Sequence, residues 1–421
     1  MKSNFDITII GSGLLSAKIT LIAAKLGLKV CLLSETDFGD VGTFNKIDIV
    51  DDKDFTYEKS ANNFIPIDLI NLENKKSIVT KYYKQFLSKI TKEEFKNNDN
   101  LATTEPQLKN TNVDYATITK AYKYDYARVC IDTVLTAKEN DVDAYNYASN
   151  LKTDGNQISF NYNEKSFDIN TKLVIDVRSK SDKIIANYFT IPRYKLELTN
   201  SMLINDKNFN IYIIPYFSVV IVKFTGNISM QAVLEKINSV FQKSILEKEI
   251  LDSWNENIGD DEVLENKNTV LLSEQFLQKK STVISDVFSL ISKKLNIEKP
   301  KELDFELHNN FAFEKRKTVI YEQVDKTFRE VQQTNISPNE FTKLYYRYGS
   351  KFDVVIEKTY DYYTEINNRK DAWLMAQIWY AKNFEMAITA DDFIYRRANI
   401  YFSDYFNSDM KNKIETYFVI L

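Results

Sequence analysis

Glycine is scarce in this chain, with nine residues among 421, far below the usual share of about 7%. Five of the nine lie within the first 42 residues. Loops in which bare backbone approaches a cofactor depend on glycine. Such loops are therefore confined almost entirely to the amino-terminal part of the chain.

Cysteine and histidine are nearly absent, with two residues and one residue respectively. Cys31 lies in an apolar run and Cys130 in a predicted helix, so they give neither a disulfide framework nor the spacing of metal ligands. We therefore expect no metal site, and the cysteine usage indicates a reducing compartment.

Clusters of charge and long apolar runs are also missing. The 55 basic residues are spread along the chain and are balanced by 59 acidic ones, which disfavours nucleic-acid binding. No run approaches the roughly 20 apolar residues that span a bilayer, and the amino terminus lacks the apolar core of a signal peptide. We expect a cytoplasmic protein and leave open peripheral attachment to the inner face of the membrane.

Apolar and aromatic residues make up 44% and 13% of the chain and argue against disorder. A length of 421 residues allows two or three domains. Apolar residues at helical spacing predict helices over residues 124–138 and 230–254, whereas residues 51–114 are polar and have the character of an insertion. Almost everything after residue 337 has a helical pattern, which indicates a carboxy-terminal helical domain.

A predicted strand, turn and helix at the start of the chain have the pattern of a dinucleotide-binding unit. In such a unit Gly11 permits the tight turn, Gly13 lets the backbone approach a pyrophosphate, and the helix amino terminus donates N–H groups. Ser16 occupies the place of the third glycine, and Ser12 lies between the first two. The setting favours a nucleotide-binding fold over an unrelated small-residue turn, with these four residues as candidate cofactor contacts.

The second predicted strand ends at Ser34 and Glu35, where a dinucleotide-binding protein places an acidic side chain on the adenosine ribose. Glu35 comes one position later than the ideal carboxylate, so Ser34 is an alternative ribose contact. A solvated charge in a turn is the other interpretation of Glu35.

Three blocks in the tail resemble the helical carboxy-terminal domain of FAD-dependent glycerol-3-phosphate dehydrogenases. They are LYYRYGS at residues 344–350, AQIWYAKNFEMA at 376–387 and TADDFIYRR at 389–397, in the order that the family has. Near the amino terminus, Gly42 and Thr43 look like the turn after the family's second strand. The segment from Tyr126 to Arg128 is similar to the start of a helix in the family.

The resemblance implies an α/β and α+β architecture. It consists of a Rossmann-like FAD-binding domain, a substrate domain with an antiparallel sheet, and a carboxy-terminal all-helical domain. The implied bounds are 1–60, 115–190 and about 305–335 for the first domain, 61–114 and 191–304 for the second, and 336–421 for the third.

The resemblance also implies an activity and a cofactor. The family transfers hydride from the middle carbon of glycerol 3-phosphate to flavin N5, gives dihydroxyacetone phosphate, and passes the electrons to a membrane quinone. By the same resemblance FAD is the expected cofactor. Gly42, Thr43, Thr327 and Arg329 join the candidate cofactor contacts.

Several loops depart from the family pattern. Residues 174–181 lack the glycine of an alanine-threonine-glycine turn, and residues 322–329 keep Thr327 and Arg329 but lack a glycine-glycine-lysine turn. After Thr43 the family's histidine, glycines and arginine are all missing. Side-chain bulk at sites where backbone should meet a pyrophosphate weakens cofactor binding.

Three residues remain as candidate catalytic or substrate-binding groups. His308 lies close to the place of a family substrate loop, and histidine is the usual general base near neutral pH; a surface or capping residue is the plainer interpretation. Arg193 and Lys195 lie where the family has a lysine-glycine turn and could attract a phosphate, or they are exposed strand charges.

Two functions therefore stay open. One is a pseudoenzyme, a weak or inactive homologue that keeps the fold as a scaffold for a protein partner, and the correlated loss of cofactor and substrate loops favours it. The other is an active flavin-dependent oxidoreductase that acts on glycerol 3-phosphate or on a different small substrate.

Overall fold

The structure is a computed structural model that describes residues 3–40, 47–51, 64–73, 85, 94–97, 101, 103–108, 115–178, 183–206, 208–258, 264–265, 268–272, 283–298, 344, 347–403 and 406–421. Its strands are, in chain order, β1 (Asn4–Ile10), β2 (Val30–Leu33), β3 (Ile47–Asp51), β4 (Phe64–Glu73), β5 (Glu94–Asn97), β6 (Tyr115–Asp125), β7 (Asp143–Tyr145), β8 (Ser149–Asp154), β9 (Gln157–Tyr162), β10 (Lys165–Asp176), β11 (Lys183–Pro192), β12 (Ser201–Asn205), β13 (Phe209–Tyr216), β14 (Val219–Gly226), β15 (Asp252–Ile258), β16 (Leu264–Glu265) and β17 (Thr269–Leu271). Its helices are α1 (Leu14–Lys25), α2 (Tyr126–Glu139), α3 (Met230–Val240), α4 (Val283–Leu295), α5 (Phe352–Ile366), α6 (Arg369–Phe384) and α7 (Ser408–Ile420), with a π-helical turn over Asp392–Arg397.

The first sheet is built around parallel strands in the order β17, β10, β1, β2, β7. β1 lies in its centre and is almost continuously apolar, because a parallel strand covered on both faces has no solvent side. Helices α1 and α2 pack together against this sheet. The carboxyl ends of β1, β2 and β10 meet at one edge, which is where such folds bind ligands.

The second sheet runs in the order β15, β11, β14, β13, β12, β4, β6, β3, and all its neighbours on this path are antiparallel except β12 and β4. Helix α3 packs its apolar stripe, which includes Val233 and Ile237, into one face of the sheet. The opposite face meets Phe402 of the carboxy-terminal segment.

Helices α5, α6 and α7 form the carboxy-terminal part of the described chain, with Trp373 and Ile378 of α6 buried between them. Two sheets of these kinds followed by a helical segment confirm the expected architecture. The fold thus brings together a parallel sheet, a largely antiparallel sheet and a helical segment.

The helix predicted over residues 230–254 is wrong in its second half. It ends at Val240, where Phe241 takes an extended conformation. The side chain of Asn238 accepts from the Ile245 N–H at 2.6 Å and donates to the Ile245 carbonyl at 2.8 Å, so it fixes a loop instead of a further turn. Trp254 lies in β15 and stacks on Tyr188 of β11, with 5.3 Å between ring centroids.

Strand pairing also divides the chain at different places from the expected bounds. β3, β6 and all of β11 except its last two residues lie within the bounds expected for the Rossmann-like domain but pair within the second sheet. β17 was assigned to the substrate domain but pairs with β10 in the first sheet. Pairing joins residues that are distant in the chain, so local composition does not reveal which sheet a strand enters.

Candidate functional site

The turn between β1 and α1 is tightly packed around Gly11. A Cβ atom at Gly11 would lie 3.1 Å from the Cβ of Val177 and 3.2 Å from the Cβ of Ser16. Such contacts are tighter than side chains normally make, so glycine is needed for strand, turn and helix to meet. Ser16 fits at the place of the third glycine because its hydroxyl turns back and donates to the Gly13 carbonyl at 2.6 Å.

The amino terminus of α1 is partly satisfied from within the chain. Gly13 is the cap residue and offers no side-chain cap. The N–H of Leu14, one of the groups that a helix start leaves for an anion, donates to the hydroxyl of Tyr126 at 2.8 Å. The hydroxyl of Ser12 donates to the Asp40 carbonyl at 2.6 Å. Tyr126 thus accepts from an N–H group that would otherwise be available to an anion.

The turn after β2 holds the two candidate ribose contacts. Ser34 is buried, and its hydroxyl accepts the N–H of Thr36 at 3.3 Å. Glu35 is more exposed and pairs with Arg178, with 2.9 Å between a carboxylate oxygen and a guanidinium nitrogen. The sequence predicted the position of Glu35 but not its partner.

Arg178 joins two strand ends. Its guanidinium makes two hydrogen bonds to the carboxylate of Asp176, at 3.0 and 2.8 Å, and a third to Glu35. Asp176 raises the pKa of Arg178 through these hydrogen bonds. Asp176 ends β10 and Glu35 follows β2, and β1 lies between these strands. The bridge therefore crosses the end of β1, in front of Gly11.

The backbone at this edge fits a dinucleotide, whereas the side chains do not. Gly11 and Gly13 leave the turn bare, as a pyrophosphate requires. However, the carboxylate that would hold the ribose is neutralised by Arg178, and the N–H of Leu14 is taken by Tyr126. An adenine dinucleotide would have to displace the arginine and the tyrosine hydroxyl together. The role of these residues in holding a cofactor stays a prediction.

Arg193 and Lys195, the two candidate phosphate ligands, point to different partners. Lys195 pairs with Glu249 at 2.5 Å, near the surface. The guanidinium of Arg193 donates to the carbonyls of Phe217 at 3.2 Å and Leu198 at 2.9 Å. The two side chains therefore do not form one site.

The remaining candidates lie outside the described residues. They are the catalytic candidate His308 and the cofactor candidates Gly42, Thr43, Thr327 and Arg329. Their assignments stay predictions. Within the part of the chain that is described, no group of three or more histidine, cysteine or acidic side chains could hold a metal ion. No helix in the same residues is long and apolar enough to cross a membrane.

A buried carboxylate, Asp37, connects the turn after β2 to the carboxy-terminal segment. It accepts hydrogen bonds from Arg396 at 2.7 Å, from Arg397 at 2.5 and 2.8 Å, and from Asn146 at 3.0 Å. The side chains of Asp37 and Arg397 are both 0% exposed. Because Gly39 of the same turn donates to the Ser12 carbonyl at 2.8 Å, the carboxy-terminal segment supports the glycine turn.

The network of buried charges extends further on both sides of Asp37. Arg396 pairs with Asp392 at 2.6 Å, and Arg128 of α2 pairs with Glu385 at 2.6 Å and with Asp132. Burial alone would raise the pKa of Asp392, but the charges of Arg397 and Arg396 and the hydrogen bonds from Tyr147 and Thr389 together outweigh it and hold that pKa below its usual value. The second and third tail blocks therefore supply structural contacts in the described chain.

A second polar cluster, which sequence reasoning missed, lies between β14 and β3. Lys223 pairs with Asp48 at 2.9 Å, and Tyr188 donates to Glu256 at 2.6 Å beside it. β14 and β3 are five strands apart in the sheet, about 24 Å in a flat sheet, so the contact shows that the sheet curls strongly. Lys223 interrupts the apolar run Val219 to Phe224, and that interruption was the available signal.

Comparison with known proteins supports the fold that the geometry indicates. Residues 320–412 match the family model described as the C-terminal domain of alpha-glycerophosphate oxidase. A search of the curated proteins gives no match to this chain.

Solved structures extend the likeness to nearly the whole chain. The glycerol-3-phosphate dehydrogenase from Bacillus halodurans, complexed with FAD, is 17% identical with a TM-score of 0.79, and the match covers 99% of this chain and 91% of that one. The FAD-bound L-alpha-glycerophosphate oxidase from Mycoplasma pneumoniae is 13% identical with a TM-score of 0.52, over 72% of this chain and 98% of that one. The L-proline dehydrogenase from P. horikoshii is 14% identical with a TM-score of 0.50, over 72% and 96%.

Sequence identities this low establish only the fold, and the family model adds a match to the carboxy-terminal domain. The resemblance found in the sequence blocks is therefore confirmed for the overall fold and for this domain. The chain shares the fold of the glycerol-3-phosphate dehydrogenase from Bacillus halodurans, and its residues 320–412 match the model of the C-terminal domain of alpha-glycerophosphate oxidase.

Proposed function

We propose that this chain is a weak or inactive homologue of FAD-dependent glycerol-3-phosphate dehydrogenase whose fold is kept as a scaffold for a protein partner in the cytoplasm. The observation that carries the proposal is the bridge from Asp176 through Arg178 to Glu35. It occupies the edge of the sheet where a dinucleotide would enter. The missing glycines at residues 174–181 and 322–329 support the same conclusion.

The first experiment measures flavin directly. The purified full-length protein is denatured, and released flavin is quantified by its absorbance and fluorescence against the protein concentration. We expect far less than one flavin per chain, both as purified and after incubation with FAD. A stoichiometric flavin signal would overturn the proposal.

A variant then tests whether Arg178 is the obstacle. Arg178→Ala removes the bridge and exposes Glu35 to a ribose hydroxyl. Hydrogen bonds to a charged group contribute about 1.5–3 kcal/mol, so we expect FAD affinity to rise by about tenfold or more. Lys172→Ala, which removes an exposed pair with Asp6, is the matched control and should change nothing. Weaker FAD binding in Arg178→Ala would instead make the arginine a cofactor contact.

The alternative is an active flavin-dependent oxidoreductase on glycerol 3-phosphate or another small substrate. The glycine at position 13 favours it. Packing against Val177 and Ser16 requires Gly11 with or without a ligand, whereas Gly13 has an ordinary extended backbone that does not itself require glycine, so close approach of a pyrophosphate would explain why it is kept. FAD would then supply the hydride acceptor, and a quinone would be the expected electron acceptor. Reduction of a dye that depends on glycerol 3-phosphate, in protein supplied with FAD, would establish this function.

A further inference from the structure

Two cationic side chains converge on the tight turn between β13 and β14. The ammonium of Lys123, in β6, donates to the Pro215 carbonyl at 2.8 Å and lies 5.9 Å from the centre of the Tyr216 ring. The guanidinium of Arg193 donates to the Phe217 carbonyl at 3.2 Å. Main-chain carbonyls two residues apart thus hold two positive charges close together.

Neither cation has a carboxylate partner in the part of the chain that is described. The contrast with two nearby lysines is direct, since Lys195 pairs with Glu249 at 2.5 Å and Lys223 pairs with Asp48 at 2.9 Å. Burial and the repulsion from Arg193 together lower the pKa of Lys123 to about 8. The like charges therefore lie near each other in a partly dehydrated place, and no carboxylate of the described residues forms a salt bridge with either of them.

One carboxylate, that of Glu105, interacts with Arg193 from a distance. Glu105 is buried and uses one oxygen to accept the N–H groups of Thr199 and Asn200, at 3.1 and 3.2 Å. Burial raises the pKa of Glu105, and the hydrogen bonds from Thr199 and Asn200 and, to a smaller extent, the charge of Arg193 only partly offset that effect. Glu105 forms no salt bridge with Arg193, so it does not fill the gap beside the two cations.

The cations have donors to spare. An ammonium carries three N–H groups and a guanidinium five, and hydrogen bonds within the described chain account for one of Lys123 and two of Arg193. The planar guanidinium of Arg193 beside the compact ammonium of Lys123 suits a tetrahedral oxyanion, because such an anion accepts several charge-assisted hydrogen bonds at once. Such an anion would also remove the repulsion between the cations.

We propose that Lys123 and Arg193 form a binding site for a phosphate-type oxyanion at the β13–β14 turn. Inorganic phosphate and the phosphate group of a small ester share the required chemistry. The site needs no flavin and is separate from the edge where Arg178 bridges Asp176 and Glu35. It therefore stands or falls independently of the proposed function.

Isothermal titration calorimetry of the full-length protein tests the site, with inorganic phosphate and glycerol 3-phosphate as separate probes at constant ionic strength. We expect saturable binding, and we expect Lys123→Met and Arg193→Met each to weaken it by about tenfold or more, because each removes charge-assisted hydrogen bonds. Lys195→Met is the matched control, since Lys195 is already paired with Glu249, and it should bind as the unchanged protein does. Tighter binding of glycerol 3-phosphate identifies an ester as the natural ligand, and equal binding identifies phosphate.

Three results would overturn the proposal. They are no binding at millimolar phosphate, unchanged binding in Lys123→Met, and loss of binding in Lys195→Met alone. Arg193 also ties down two loop carbonyls, so Arg193→Met could misfold. Arg193→Lys keeps the charge without the fork, and in a folded variant it should bind phosphate more weakly than the unchanged protein and more tightly than Lys123→Met. Equal phosphate affinity in Arg193→Lys and the unchanged protein would show that the paired hydrogen bonds of the Arg193 guanidinium do not contribute to binding.

Discussion

Arg397→Met should destabilise the protein more than any loss of a surface charge, because it opens the buried network around Asp37. Arg397 gives Asp37 two of its four hydrogen bonds and also donates to the Glu385 carbonyl at 2.9 Å. The side chains of both partners are 0% exposed. Water therefore cannot replace what the arginine provides.

The expected cost follows from what the substitution leaves behind. Removing one partner of a buried ion pair costs about 3–5 kcal/mol. Asp37 would keep Arg396 at 2.7 Å and Asn146 at 3.0 Å, so the lower end, about 3 kcal/mol, applies. Arg397→Lys keeps the charge but not the two parallel hydrogen bonds, and it should cost less than Arg397→Met.

Urea unfolding followed by tryptophan fluorescence measures the effect, since Trp373 is buried in α6 beside this segment. The matched control is Lys172→Met, which breaks an ion pair whose lysine is 71% exposed and should cost at most about 1 kcal/mol. The shift in the urea midpoint is comparable between variants only where the slope of the transition is unchanged.

The reasoning fails if Arg397→Met costs no more than Lys172→Met. A double-mutant cycle with Asp37→Asn refines the test. If the two residues act mainly on each other, the double variant should be more stable than the sum of the single losses predicts, because neither charge is then left alone. Simple additivity would show that the pair does not couple the glycine turn to the carboxy-terminal segment.

Three further outcomes are expected, each measured by urea unfolding. Gly39→Ala should reduce the free energy of unfolding by about 2 kcal/mol more than Gly27→Ala does. Both glycines have a left-handed backbone conformation. A Cβ atom at Gly39 would lie 2.8 Å from the backbone of helix α2, whereas no described atom lies within 4 Å of a Cβ atom at Gly27. Equal costs would refute the steric argument. Lys123→Met should remove a rise in stability between pH 8 and 10: the folded pKa of Lys123 is about 8 and that of an unfolded lysine about 10.4, so the unfolded chain binds the proton in this range and stability grows with pH. A rise that persists in the variant would contradict this. Tyr126→Phe should cost about 1 kcal/mol because it leaves the Leu14 N–H without its acceptor, and no loss would mean that another group replaces the hydroxyl.

Local features of the fold were predictable from sequence, and pairings between distant residues were not. The strand, glycine turn and helix at residues 4–25 follow from apolar periodicity and from two small residues at one turn. Helix α2 begins at Tyr126, close to the predicted start, because Asp125 caps it by accepting the Arg128 N–H at 3.0 Å. The helix predicted to reach Trp254 failed because a side chain seven residues from its partner, Asn238 with Ile245, closes a loop instead.

The candidate site shows the same division. Glu35 lies two residues beyond the end of β2 and its role toward a ribose stays a prediction, but nothing local indicates that Arg178, 143 residues later, would pair with it. The sequence around Lys123 does not indicate a binding residue, because a lysine between two tyrosines in a strand usually faces solvent. Its neighbour Arg193 lies 70 residues further along, and only the curl of the second sheet brings the two together.

The family resemblance is clearest in the three tail blocks, and the buried charge network gives a physical reason for this. Arg397 and Glu385 belong to these blocks, and each bonds to more than one buried partner. A change at one such residue leaves a charge unpaired at a cost of about 3–5 kcal/mol, a large part of the 5–15 kcal/mol that stabilises a typical protein. Loops that approach a cofactor carry no such penalty once the cofactor is no longer needed. Selection for stability alone would therefore preserve the tail blocks while the cofactor loops change. This pattern supports the proposal that the protein is a scaffold and does not require catalysis.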